Sequence, residues 1–332
     1  FGDHLGYYSL EHPFPVMKVD KVYHRKDAVW HFTVVGRPPQ EDTWFGYLIH
    51  EIVKPLTSTE FPGLVSINAV DAAGVHPLLL AVGKERYMPF REQRPEEILT
   101  IANHLLGKGQ TSLAKYLFIA AQDEYSDLTT EDIPRFFGHV LERVHWDRDL
   151  HFQTQTTIDT LDYSGDHWNA GSKLVVAARG VKLRSLATSV PAVFPVLEKV
   201  KKISIPLPGI MCLEAPAYQN EEQESRWKQQ LAEAIPVGTV DHFPLLVLVD
   251  DADFCARTLN NFLWVTFTRS NPAPDITGVG AFEQDKHWGC RGPLIIDARI
   301  KPHHAPVLEV DAKTKNAADK LFAKGASLYG VG

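Results

Sequence analysis

The 332-residue chain has little cysteine, no long hydrophobic run and no surplus of basic residues. Its three cysteines, Cys212, Cys255 and Cys290, are odd in number, widely spaced and in no CxxC pair. That pattern removes a disulfide framework and a zinc knuckle, and fits a reducing, cytoplasmic setting. The longest apolar runs, such as PLLLAV and FPLLVLV, fall far short of the roughly 20 residues that cross a bilayer, and nothing has the layout of a secretory signal. The net charge is −7 and no stretch concentrates cations, so a nucleic-acid partner is not expected. G-x-S-x-G, G-x-G-x-x-G and H-E-x-x-H are all missing, which takes support from the common hydrolase, dinucleotide and zincin readings.

What is present reads as a folded protein: 44% of residues are apolar and 23% charged, and the length has room for about two domains. Residues 29–36, VWHFTVVG, read as a strand running into the turn GRPP. Glu41 and Asp42 suit a helix first turn, and Phe45, Leu48, Ile49, Ile52, Val53 and Leu56 follow at helical spacing, which predicts an amphipathic helix. Two stretches then look like copies of one pattern. Residues 61–85 and 194–216 both open on Phe-Pro and run through a β-rich segment, a glycine turn and an apolar strand. Helical stretches (95–109; 220–235), buried-strand runs (KYLFIAAQD; FPLLVLVDD), second helices (130–144; 258–269) and closing strands (GSKLVVAAR; GPLIIDAR) follow in each. The expected fold is therefore α/β, with two doubly wound, parallel-sheet units, the second a duplication of the first. Residues 317–330 read as a final helix.

Several local features have ordinary explanations. LLGKGQTSLAK lacks the first glycine of a phosphate loop and follows a helix, so Gly107 is read as a left-handed helix cap. Lys115, at the mouth of a strand, could meet a phosphate, but a solvated lysine is the simpler account. His287, Cys290, His303 and His304 are metal-ligand types whose spacing matches no zinc motif. Asp123, Asp159, Asp162, Asp250, Asp251 and Asp297 stand at strand ends, where open α/β folds build sites, although turn and cap duties explain such residues singly.

The opening FGDHLGYYS, with GRPP downstream, resembles the UbiD family of decarboxylases, whose pattern here is E-G-P-F-G-[DE]-H-x-G-Y-Y. Phe1, Gly2, Asp3, His4, Gly6, Tyr7 and Tyr8 match it in order, as though the chain were entered inside the motif. The likeness extends over roughly the first 180 residues, and TFTRSNPAPDI with Trp264 resembles the family's W-x-x-x-T-R-x-x-P-x-x-D segment, now in the second copy. The resemblance implies residues 1–60 as the end of a split β-barrel flavin-binding domain, 61–183 as the family's C-terminal α/β domain and 190–332 as a second α/β unit.

The resemblance also implies prenylated FMN as cofactor and an aromatic or α,β-unsaturated carboxylic acid as substrate, as in quinone biosynthesis. Asp3 becomes the acid that protonates the carbon left after CO2 departs. The chemistry is consistent, because a carbanion-like centre needs an electron sink and a nearby acid whose pKa is raised by apolar surroundings and a neighbouring carboxylate. Lys115 falls near a family lysine that reaches the cofactor phosphate. Trp44 and Leu48 fall where family members line the substrate pocket, their other reading being the edge of the helix's apolar stripe. A divalent, manganese-type metal with potassium is implied too, but its Asn, His and Glu ligands and the catalytic Arg lie upstream of Phe1 in the family. The N-terminal portion of the same protein is thus an expected partner, in a homo-oligomer. The alternatives are a non-catalytic α/β assembly module and a phosphate- or nucleotide-binding protein of another kind.

Overall fold

The computed structural model describes all residues except 31–34, 87–89, 91, 123–126, 192, 193, 196 and 332. After an extended segment come α1 (Glu41–Val53) and α2 (Thr57–Glu60), then β1 (Leu64–Ala69), β2 (Leu78–Lys84), α3 (Glu97–Leu106), β3 (Tyr116–Gln122), α4 (Ile133–Arg143), β4 (Leu150–Thr156) and β5 (Gly171–Ala178). These strands form one five-stranded sheet ordered β1-β2-β3-β5-β4. Its centre, β2, β3 and β5, is parallel, and both edges pair antiparallel.

The second unit holds β6 (Lys202–Leu207), β7 (Ile210–Glu214), α5 (Glu221–Glu233), β8 (Leu245–Val249), α6 (Ala252–Arg257), α7 (Leu259–Arg269), α8 (Pro272–Asp275) and β9 (Ile276–Gly278). A hairpin of β10 (Ala281–Gln284) and β11 (His287–Cys290) follows, then β12 (Leu294–Asp297) and α9 (Ala312–Phe322). Its sheet runs β6-β7-β8-β12-β9, again with a parallel centre and antiparallel edges. With the hairpin set aside, strand order and direction repeat those of the first sheet. The expected all-parallel sheets are corrected to mixed ones. The central strands are the continuous apolar runs that burial on both faces requires, whereas β4 has only one wholly buried residue, Leu150.

The two sheets share one core. Phe267 of α7 meets Tyr116 and Phe118 of β3 with ring centroids 5.1 and 6.0 Å apart, and Phe137 of α4 packs on both Phe262 and Phe267. Such edge-on and offset aromatic pairs add to the burial of large apolar surfaces.

Other expectations fare unevenly. Half of the strand expected at 29–36, residues 31–34, lies outside the described residues, and residues 29, 30, 35 and 36 are not in a strand. The helix expected after GRPP is α1, yet none of its residues is buried. The apolar stripe is therefore exposed rather than packed on this chain's core. Gly107 does close α3, with φ −100° rather than a left-handed angle. The last helix begins earlier than expected, capped by Asp311, and ends at Phe322.

Candidate active site

The FGDH segment folds into a tight turn. The Gly6 amide donates to the Asp3 carbonyl and the Asp3 amide to the Tyr7 carbonyl, both at 2.9 Å. Gly6 has φ +86°, where a side chain would be strained and would press on Arg37. Leu5, wholly buried, packs against Gly74 at the end of a short turn of 3-10 helix (Asp71–Ala73); a Cβ there would collide with it.

This turn buries Asp3, whose carboxylate accepts from the His4 amide at 2.8 Å and from His4 Nδ1 at 3.1 Å. His4 Nε2 is buried, has no hydrogen-bond partner, and stands 3.6 Å from the Asp159 carboxylate. Asp159 in turn is hydrogen-bonded to His76 Nδ1 and to the Leu161 amide. A row of carboxylate, imidazole, carboxylate and imidazole results, drawn from the motif, the turn before β2 and the loop after β4. Burial pulls the His4 pKa down, but the hydrogen bond to Asp3 and the charges of Asp159, Asp3 and Asp42 outweigh it, so His4 is held above its ordinary 6.5. Burial likewise pushes Asp159 up, and its bonds to His76 and the Leu161 amide more than reverse this, leaving it below the ordinary carboxylate value. His4 thus lies between two carboxylates, both of which favour its protonated form.

The row sits at the amino ends of the parallel strands, not at the carboxyl ends where open α/β sheets usually bind ligands. His76 precedes β2, and its carbonyl accepts from the amide of Lys115, which precedes β3. The expected solvated Lys115 is corrected: it is fully buried, with Nζ 2.7 Å from both Asp162 and Ser164 Oγ. Burial lowers its pKa, against the pull of Asp162. Two of its three donors are therefore committed to the loop that also carries Asp159.

Trp44 and Leu48 lie on α1 with 75% and 54% of their surface exposed, so within this chain they line no enclosed pocket. Thr43, beside Trp44, donates to Asp71 at 2.7 Å and ties α1 to the turn under Leu5.

Of the strand-end aspartates, Asp251 caps α6, Asp250 binds Arg269, Asp297 pairs with Arg299, and Asp123 lies outside the described residues. His287, Cys290, His303 and His304 do not gather: Cys290 contacts the Gly292 carbonyl and His287 the Asp147 carbonyl. Among the described residues the one grouping of potential metal ligands is His4, His76 and Asp159, with ligand atoms within 4.8 Å of one another. That donor set suits a divalent ion in type, but His76 and Asp159 already satisfy each other directly.

Sequence reasoning missed His76 and missed that Asp159 belongs to the site. The only signal was the pairing of the motif's histidine with acidic residues elsewhere, which spacing does not reveal.

A buried acid on a glycine turn, backed by a histidine–carboxylate row beside a mixed α/β sheet, is a candidate acid–base site. Two family models match the chain: the 3-octaprenyl-4-hydroxybenzoate carboxy-lyase Rift-related domain over residues 1–38, and the C-terminal domain of the same carboxy-lyase over residues 43–178. Together they cover just over half of the sequence, and the chain belongs to the UbiD family.

A protein of Chlamydia trachomatis serovar D is 36% identical over 95% of this chain and 51% of its own length. A Chlamydia pneumoniae protein, named as a component of 4-hydroxybenzoate decarboxylase, is 35% identical over 97% of the chain and 51% of its own length. The chain thus spans about half the length of the curated relatives it matches. Among solved structures, the vanillic acid decarboxylase of Sedimentibacter hydroxybenzoicus in its closed form aligns with a TM-score of 0.42 and 18% identity, over 70% of this chain and 42% of that one. No helix among the described residues is long and apolar enough to cross a membrane.

Proposed function

We propose that this chain provides the proton-donating part of a non-oxidative decarboxylase for an aromatic or α,β-unsaturated carboxylic acid, with Asp3 as the donor. The observation that carries the reading is the placement of Asp3: buried on a fixed turn, with His4 bonded to its carboxylate and Asp159 behind His4. After loss of CO2 a carbanion-like carbon must take up a proton, and a positioned acid speeds such a transfer by roughly 10²–10⁴-fold. His4 Nδ1–H, held on the Asp3 carboxylate, can pass its proton to that carboxylate, which then delivers it to the carbon, while Asp159 behind Nε2 favours the proton-bearing imidazole before the transfer.

Prenylated FMN, when bound, would supply the electron sink that the carbanion needs. Within this chain Lys115 has one donor left beyond Asp162 and Ser164, which makes its first duty the holding of the 159–164 loop, and a phosphate contact an addition to it. The name of the Chlamydia pneumoniae relative favours an aromatic acid of the 4-hydroxybenzoate type. The exposed apolar face of α1, with Trp44, Phe45, Leu48 and Ile52, is where the remainder of a protein of the relatives' length would pack, bringing Trp44 and Leu48 to the substrate. The matching strand orders support descent of the two units from one duplicated unit.

The test uses the full-length protein loaded with flavin and compares Asp3→Asn with wild type in CO2 release and in solvent-deuterium incorporation into product. A loss of roughly 10²-fold or more with flavin retained is expected; wild-type turnover by Asp3→Asn would remove Asp3 from the reaction.

A further inference from the structure

The second α/β unit lies beyond both family-model matches, which end at residue 178, yet it makes several of the contacts that hold the Asp3 turn. Trp264 Nε1 on α7 donates to the Leu5 carbonyl, inside the turn, at 2.8 Å. The Tyr7 ring stacks on Trp264 with centroids 5.3 Å apart and planes 18° from parallel. One turn further along α7 the Thr268 hydroxyl lies 2.6 Å from the Trp264 carbonyl and 2.7 Å from the Tyr7 hydroxyl.

A hydroxyl has one proton to give. Thr268 donates its own to the helix carbonyl, so Tyr7 must donate to Thr268 Oγ1, and the Tyr7 oxygen is left to accept from Arg269 Nε at 3.3 Å. The guanidinium groups of Arg269 and of Arg37, from the GRPP turn, both lie over the Trp264 ring, at 4.8 and 4.9 Å. A second attachment comes from residues 306–308: the Tyr8 amide donates to the Pro306 carbonyl at 2.8 Å, and the Leu308 amide to the Gly6 carbonyl at 3.0 Å. A four-residue turn closed by glycine has little rigidity of its own. Here its far side is anchored to two separate parts of one unit.

We propose that the second unit is a positioning module for the acid: Trp264, Thr268 and Arg269 are positioning residues that act on Asp3 through Leu5 and Tyr7. The proposal rests on the reading of Asp3 as proton donor, but its physical half, the holding of the turn, does not. It also gives the W-x-x-x-T-R segment a use in this chain, since each of the three residues that spell it touches the motif. If the turn drifts, the acid leaves its line to the reacting carbon, and a displacement of about 1 Å can lower turnover by roughly 10²-fold.

The experiment compares wild type with Tyr7→Phe, Thr268→Val and Thr268→Ser in the full-length, flavin-loaded protein. Tyr7→Phe keeps the ring stack and loses only the hydroxyl, so folding is preserved even if Thr268→Val is unstable. Amide hydrogen exchange of residues 1–9 is read by mass spectrometry, beside kcat and KM. Tyr7→Phe and Thr268→Val are expected to speed exchange at Gly6 and Tyr8 by about tenfold or more and to lower kcat by about tenfold, with KM within about twofold. Thr268→Ser, which keeps the hydroxyl, is expected to restore both. Unchanged exchange in Tyr7→Phe would overturn the proposal whatever the activity. Faster exchange with wild-type kcat would overturn the positioning of the acid. Faster exchange in a protein whose wild type decarboxylates no aromatic or unsaturated acid would support the anchoring while refuting the decarboxylase reading.

Discussion

Replacing Asp159 by Asn removes one of the two carboxylates between which His4 is held, and the structure sets the size of the effect. The His4 Nε2 to Asp159 distance is 3.6 Å, and the two side chains are 19% and 8% exposed. At that distance the attraction is about 1 kcal/mol in water and about 5 kcal/mol at an effective dielectric of about 20. A pair this deeply placed belongs between the two. Asp159→Asn removes that attraction and should therefore lower the His4 pKa.

The assay is a ring-proton NMR titration, with the His4 resonance assigned through a His4→Gln variant. A second readout follows from linkage. His4 has a raised pKa, so its contribution to stability is fully present below 6.5 and is lost as pH rises through the higher folded value. Asp159 has a depressed pKa, so its contribution is present above 3.8 and is lost as pH falls through the lower folded value. Wild type should therefore be most stable between those limits, and the variant's urea midpoint should vary less with pH at both ends. A His4 titration that moves by less than about 0.3 units would refute the coupling on which the site is built.

Three further outcomes follow from the same structure. Arg299 is fully buried, with its guanidinium on Asp297 at 2.7 and 2.9 Å and on Glu224 at 2.6 Å; Arg299→Met strands two carboxylates and should cost about 3–5 kcal/mol in urea unfolding. Phe267→Ala opens the aromatic core common to both units and should cost about 3–5 kcal/mol, with both units unfolding in one lowered transition. His304 has its pKa pushed down to about 2 by burial, with Lys301 and His303 beside it, so its resonance should stay flat between pH 7 and pH 4; a titration in that range would show that it is hydrated.

The parts of the fold that sequence makes legible are those where one physical demand dominates. LLVLV and YLFIAA can only be strands buried on both faces, and the period of α1 is unmistakable. The edge strands are illegible for the opposite reason. In β4, LHFQTQT is mostly polar because one face meets solvent, and β9 has three residues. The β10–β11 hairpin turns on Asp285 and Lys286, both with positive φ. That turn normally advertises itself through Asn-Gly or Asp-Gly, and here it carries no glycine.

The site is legible only where the chain is contiguous. Asp3 and His4 stand side by side in a motif, whereas His76 and Asp159 look like turn residues until the sheet brings their loops to the ends of β2 and β4. Trp264 is the extreme case: the resemblance marks it as part of a segment, but the carbonyl its indole binds is 259 residues away in sequence, and nothing in its own helix points there. An amphipathic period reports that a face is buried, not what covers it, and α1 and α7 show the two sides of that gap. α1 has a core-like stripe that this chain leaves open, while α7 is buried all round, with Phe262 and Phe267 in the aromatic core and Trp264 and Thr268 against the Asp3 turn. Separate measurements can close the gap at each end. If Leu48→Ser leaves this chain's stability within about 0.5 kcal/mol while Trp264→Phe loosens the Asp3 turn, the two helices have opposite roles. α7 then acts inside the chain, and α1 faces outward from it.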